Sequence, residues 1–316
     1  MTRPSAAAWW RDLPGNARGA IHLLVTAALL GSVAYAIRLA GRTLPSFEII
    51  FFRNAFILLV LLPLAFRRGR PNGYRTAHLG LHLARGGLSF LSMTAFYWSY
   101  INLPLAESTA LMYTMPLFLI VLAIAFAGER VGWRRTTATV AGFAGVVMML
   151  SPGSGRFDAA LLVPLTIGLV DAVIALVIKR LTRTETLLSI LLYMCSVTLI
   201  GSSIVLALGT FAIDDEAVAR IARWTPPSLD ELALLALIAL LTGSAQVFNV
   251  HGWRAGETTA IAPVSYMQIV FAGLVGYFAF RELPGMWTVI GALVIVGSTA
   301  YIALREARLQ RRAAAR

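Results

Sequence analysis

Runs of about twenty apolar residues, separated by short charged segments, recur along this chain and restrict its fold more than any other feature. That is the length a helix needs to cross a bilayer. Inside the hydrocarbon a backbone must satisfy its own hydrogen bonds, so each run is predicted to be a transmembrane helix. Composition agrees. Of 316 residues, 58% are hydrophobic and only 13% are charged, more apolar surface than a soluble chain of this length can hide. The runs spread over the whole chain, which predicts one integral membrane domain rather than a soluble domain with an anchor.

Ten spans are predicted: 20–40, 46–66, 77–100, 105–127, 136–151, 158–179, 186–208, 230–252, 257–280 and 285–304. Connections are short, apart from a polar stretch from Thr210 to Leu229 that reads as a loop with room for a short amphipathic turn. With the N-terminus inside, 19 Arg and Lys residues fall in inner segments and 5 in outer ones, namely Arg42, Arg156, Arg220, Arg223 and Arg281. Arg38, Arg53 and Arg85 fall within spans. This bias predicts that both termini are cytoplasmic. It also explains the net charge of +12 by position, so a nucleic-acid partner is excluded.

A repeat organises the spans. Glu107-Ser108-Thr109-Ala110 recurs as Glu257-Thr258-Thr259-Ala260. Each copy opens an apolar helix, passes Tyr113 or Tyr266, and ends at Glu129 or Glu282. Five spans per copy put the second copy upside down relative to the first. The predicted fold class is therefore all-α integral membrane, ten transmembrane helices as two inverted five-helix repeats. The organisation is a cytoplasmic segment 1–19, a first repeat 20–151, a linker 152–157 marked by Pro152-Gly153-Ser154-Gly155, a second repeat 158–304, and a cytoplasmic tail 305–316. Inverted repeats build alternating-access carriers with the substrate site where the halves meet.

Other classes lack equipment. The lone Cys195, in an apolar run, excludes an intrachain disulfide and a Cys-based metal site. No Gly-Lys phosphate loop, Ser-His-Asp set or metal cluster is visible, so neither a cofactor nor enzyme chemistry is expected. The first apolar run is too long for a cleavable signal peptide.

The ordered motifs resemble the drug/metabolite transporter superfamily, in its EamA-like ten-helix branch. The first half carries Pro104-Leu105-Ala106, Pro116-Leu117-Phe118 and Gly128-Glu129-Arg130. The second carries Ala262-Pro263, Tyr266, Gln268, Gly276, Phe280, Glu282 and Pro284. Glu48 with Arg53-Asn54, and Arg85-Gly86, are similar to one subgroup; Gln246 and Trp253 depart from it. The resemblance spans about residues 20–305 and implies a carrier of small organic metabolites in the bacterial inner membrane.

Ionisable groups within a bilayer are costly, about 2.5–3.5 kcal/mol at a helix centre, and each needs a reason. Asp171, mid-span, can bind a substrate ammonium, carry a coupling proton, or serve as a structural hydrogen-bond partner. Arg53 and Arg85 can clamp a substrate carboxylate, or snorkel or pair. Tyr97, Tyr113 and Tyr266 are candidate cavity walls, with Gln268 and Asn249 as polar neighbours. Arg38 is expected to snorkel outward, Glu107 and Glu257 to favour helix N-termini, and Glu129 and Glu282 to pack against helix ends. The leading expectation is a secondary active transporter of small, amino-acid-like or amphiphilic metabolites. An alternative is an importer of a larger aromatic or cationic metabolite, such as a vitamin or an S-adenosyl compound. A third is an intramembrane enzyme or lipid-handling scaffold. Expected partners are the small-molecule substrate, membrane lipid and a coupling proton, in a monomer or homodimer.

Overall fold

The computed structural model describes residues 13–67, 76–127, 133–150, 158–181, 184–213, 215–255 and 264–314. Glu129, the linker 152–157, Glu257 to Ala260 and Ala262-Pro263 lie outside the described residues, as does the side chain of Trp253. Helix α1 spans Gly15–Ala40, α2 Ser46–Arg67 and α3 Leu79–Asn102. Then come α4 (Leu105–Met112), α5 (Met115–Ala127) and α6 (Trp133–Leu150). A 3-10 turn at Ala159–Leu161 leads into α7 (Leu162–Leu181), followed by α8 (Leu187–Phe211). The loop helix α9 (Glu216–Ala222) precedes α10 (Leu229–Ala255), α11 (Met267–Phe280) and α12 (Met286–Ala314). No strand occurs among the described residues.

Among the described residues, six segments are long and apolar enough to cross a membrane: Gly15–Ala40, Ser46–Pro63, Leu105–Leu122, Ala159–Ile178, Leu188–Phe211 and Leu229–Gly252. Shorter apolar helices cover Thr136–Leu150, Met267–Phe280 and Met286–Ser298. The outward faces fit that setting. Leu59, Leu240 and Phe278 are 71%, 66% and 70% exposed, an apolar surface that only lipid can cover without cost.

Packing inside depends on small residues. Along α1, Gly19, Ala27, Gly31, Ala34 and Ala40 face inward at helical spacing, and α10 and α11 lie against them. Helices α6 and α12 cross where two glycines meet. A Cβ on Gly145 would come within 2.8 Å of the Gly291 carbonyl, and one on Gly291 within 2.6 Å of the Gly145 carbonyl. The largest core gathers Ile37, Ile49, Ile50, Tyr97, Tyr100 and Leu105 from four helices.

The span 105–127 is not one helix. It breaks between α4 and α5, at Tyr113-Thr114. Pro116 has no N–H to continue the ladder. The Thr114 hydroxyl instead donates to the Leu111 carbonyl at 2.6 Å, closing the end of α4. In the second half Tyr266 is likewise the residue at which α11 begins.

Two sequence expectations are corrected at one end of the bundle. Arg38 does not snorkel; it pairs with the Glu282 carboxylate and lies 4.8 Å from the centre of the Phe280 ring. Glu282 does more than pack, because its second oxygen accepts the Leu105 backbone N–H at 3.0 Å. One carboxylate thus holds the C-terminal turn of α1 and the first residue of α4. Glu107 stands in the first turn of α4, as expected, and its carboxylate also accepts the Thr288 hydroxyl at 2.8 Å, which links α4 to α12.

Two predictions follow the packing. Gly145→Leu or Gly291→Leu should lower stability by about 1–3 kcal/mol through overpacking. Gly297→Ala, whose Cβ would meet nothing within 4 Å, should leave the unfolding midpoint in detergent unchanged or raised. Equal losses at all three would refute the crossing described. For the ion pair, a double-mutant cycle of Arg38→Gln and Glu282→Gln should give a coupling of about 1.5–3 kcal/mol, as for a hydrogen bond to a charged group. Additive effects would mean the two side chains act independently.

Candidate functional site

The polar residues that cross the membrane interior lie on one face of α3. His82, Arg85, Ser89, Ser92 and Ser99 recur at steps of three, four or seven and are all buried, while Leu79, Leu83 and Leu91 on the other face are at least half exposed. The reason is solvation. A polar group facing lipid has no partner, so the helix turns its polar stripe onto α7 and α8.

Ser92, midway along that stripe, donates its hydroxyl to Asp171 on α7 at 2.7 Å. The neighbouring Met93 sulfur lies 3.2 Å from an Arg53 guanidinium nitrogen and 3.6 Å from the Asn54 amide. One turn before Asp171, Gly168 lies against Thr114 at the broken span, where any larger residue would collide with the Thr114 hydroxyl. Tyr113 then closes the group. Its hydroxyl donates to the Ser265 carbonyl at 2.8 Å and also lies 2.9 Å from the Gln268 side-chain oxygen. Its ring centre is 5.4 Å from that of Tyr266.

The structure therefore brings together six sequence-predicted residues. Asp171 and Arg53 face Ser92 and Met93 on α3, while Tyr113, Tyr266 and Gln268 form one cluster. Tyr97, one turn beyond Met93, is fully enclosed, and Tyr100 beside it lies 3.2 Å from the Thr109 hydroxyl. Arg85 and Asn249 stand apart. Arg85 is two turns from Ser92 and donates to the Ile190 carbonyl at 3.3 Å. Asn249 is half-buried on α10, and the described hydrogen bonds do not join it to the tyrosines. Glu48 turns away from Arg53 and accepts the Thr225 backbone N–H at 3.1 Å.

Sequence reasoning missed Ser92 and Thr114. Ser92 was legible in principle, because the steps 82, 85, 89 and 92 mark a buried polar face on a membrane helix. Thr114 carried no signal beyond its place two residues before Pro116.

Chemically the group offers aromatic faces, one carboxylate held by a hydroxyl, and one guanidinium against a thioether. It can stack a planar ring and attract a cation. Among the described residues no group of three metal-ligating side chains occurs.

The sequence profile of the EamA-like transporter family matches residues 17–151. The chain is 31% identical over 266 residues to the S-adenosylmethionine uptake transporter of Rickettsia prowazekii, covering 84% of this chain and 85% of that one. It is 30% identical over 316 residues to the riboflavin transporter of Rhizobium johnstonii, covering 99% and 96%. A solved crystal structure superposes with a TM-score of 0.58 at 20% identity, covering 92% of this chain and 98% of the other, and shares its fold. These likenesses and the all-helical membrane architecture identify the chain as a member of the EamA-like transporter family, within the drug/metabolite transporter superfamily of small-molecule carriers rather than enzymes.

Proposed function

We propose that this carrier imports a large aromatic, cationic metabolite of the S-adenosyl type across the bacterial inner membrane. The observation that carries the reading is the 31% identity, over 84% of this chain, to an S-adenosylmethionine uptake transporter. The site chemistry agrees with it. A purine ring can stack on the paired Tyr113 and Tyr266, with Gln268 beside them as a hydrogen-bond partner. A sulfonium or ammonium suits the Asp171 carboxylate, and Arg53 suits the substrate carboxylate. A small amino-acid-like substrate is less favoured, because it would leave the tyrosine faces unused. Flavin import is the second reading, supported by the likeness to a riboflavin transporter.

Transport in this reading proceeds by alternating access of two inverted repeats, 20–151 and 158–304, joined by 152–157. Helix pairing supports it. Under exchange of the halves α1 corresponds to α7, α2 to α8, α3 to α10, the pair α4–α5 to α11, and α6 to α12. Helix α1 packs on α10 as α7 packs on α3, and α2 on α10 as α8 on α3. Helix α1 packs on α11 as α7 packs on α4 and α5. The self-corresponding pairs α2 with α8, α4 with α11 and α6 with α12 also touch. Tyr113 and Tyr266, equivalent in the repeat, meet each other, as residues near a two-fold axis must. Five spans per repeat make that axis lie in the membrane plane.

The test is uptake into proteoliposomes of labelled S-adenosylmethionine, riboflavin and an amino-acid panel, with and without a pH gradient. Saturable uptake of the first is expected; preference for riboflavin would select the second reading, and uptake confined to amino acids would overturn both. Asp171→Asn keeps size but removes charge and titration. It should abolish uptake while the melting temperature stays near wild type, and normal flux through a stable variant would refute the assignment. Orientation has its own check. A cytoplasmic reporter fused to the C-terminus should be active and a periplasmic one inactive; the reverse result would also break the ten-span count.

A further inference from the structure

Between α6 and α12 lies a groove that the transport site does not use. The helices touch at Gly145 and Gly291 and leave a cleft of about 530 Å³ beyond that crossing. Its walls are apolar or small: Ala138 and Ala141 on one side, Val294 and Gly297 on the other, with Trp133 and Tyr301 at its open end. A Cβ on Gly297 would meet nothing within 4 Å, so the cleft has unfilled room at that point. Trp133 is 71% exposed and Tyr301 47%, and such amphipathic rings mark the level of the lipid headgroups.

The face of α12 that lines this groove does not stop at Tyr301. Val294, Gly297 with Ser298, and Tyr301 recur at steps of three and four, and the same steps lead on to Arg305, Arg308 and Arg312. Glu306 falls off this stripe. On α6, Arg134 and Arg135 follow Trp133 directly. Helix α12 has 29 residues, about 43 Å at 1.5 Å per residue, against a hydrocarbon core of about 30 Å. Its last turns therefore project past the hydrocarbon, so an apolar cleft within the membrane continues into arginine positions at the headgroup level.

We propose that this groove is a binding site for an anionic phospholipid. An acyl chain lies along Ala138, Ala141 and Gly297. The phosphate headgroup sits at the mouth, near positions 134, 135, 305, 308 and 312. Charge complementarity selects this occupant. A second copy of the chain would bring the same arginines against themselves, whereas an anionic headgroup neutralises them.

Native mass spectrometry of the full chain, exchanged into mixed micelles, tests the site. Phosphatidylglycerol and cardiolipin should be retained about 30- to 150-fold better than phosphatidylcholine, the order expected if two or three arginines each contribute about 1 kcal/mol. The triple change Arg305→Gln, Arg308→Gln and Arg312→Gln should abolish that preference. Gly297→Leu, which grows into the open cleft, should reduce retention of every phospholipid at an unchanged melting temperature. The arginine changes fall beyond Tyr301 on α12, past the cleft, so they remain decisive if Gly297→Leu fails to fold. Equal retention of phosphatidylcholine, or an arginine variant that keeps the preference, would overturn the proposal. So would cross-linked dimers through Ser298→Cys that exclude lipid, because the occupant would then be a second copy.

Discussion

A backbone within hydrocarbon has no water to bond, and this constraint orders the rest of the structure. It makes the spans helical, and it makes an interruption tolerable only where other protein covers it. Tyr113-Thr114 is such an interruption. At the break the Thr114 hydroxyl donates to the Leu111 carbonyl, and Gly168 allows α7 to lie directly against the gap. At the start of α11 the Ser265 carbonyl is answered by the Tyr113 hydroxyl. The two breaks are thus tied to each other. A place where the backbone needs side chains in order to be satisfied is also a place where side chains converge, and the candidate site lies there.

The same cost sorts the side chains. Asp171, Arg53 and Arg85 would each be too expensive facing lipid, and each has a partner from another helix: Ser92, Met93 and the Ile190 carbonyl. Those partners differ in what they offer. The Ile190 carbonyl is a fixed backbone acceptor, so Arg85 is held as part of the α3–α8 contact. A thioether is a weak acceptor for a guanidinium, which leaves Arg53 with donors for a better ligand. Ser92 satisfies one lone pair of the Asp171 carboxylate.

Much of this was legible in the sequence, for a stated reason. Hydrophobic run length reports helices because the bilayer thickness sets it. Tyr113 and Tyr266 were legible because the repeat marks them as equivalents. Pairings between distant segments were not. Arg38 and Glu282 are 244 residues apart, and Glu48 and Thr225 are 177 apart. For Arg38 and Glu282 local rules pointed to the nearest lipid headgroup or helix end, and tertiary packing supplied a nearer partner. Arg85 shows the pairing that was one of its expected roles, and its acceptor is a backbone carbonyl, which no side-chain pattern announces.

The departures from symmetry bear on what a two-fold carrier can hold. Helix α7 reaches the broken span of the first half at Gly168, and α1 reaches α11 of the second half at Gly31, beside Phe271. Three residues beyond Gly168 stands Asp171; three residues beyond Gly31 stands Ala34, fully buried. Pro116 breaks the first half, whereas Ile269 takes its place in the second. On the inverted-repeat reading, the pair of tyrosines is common to both halves and the carboxylate belongs to one. A shared aromatic surface can hold a planar ring near the axis while the halves rock about it. In the proposed reading, a single acid would fix which way round a cationic substrate lies, with its charged arm toward α7. A substrate with one flat end and one charged end meets both conditions, and a small symmetric solute meets neither.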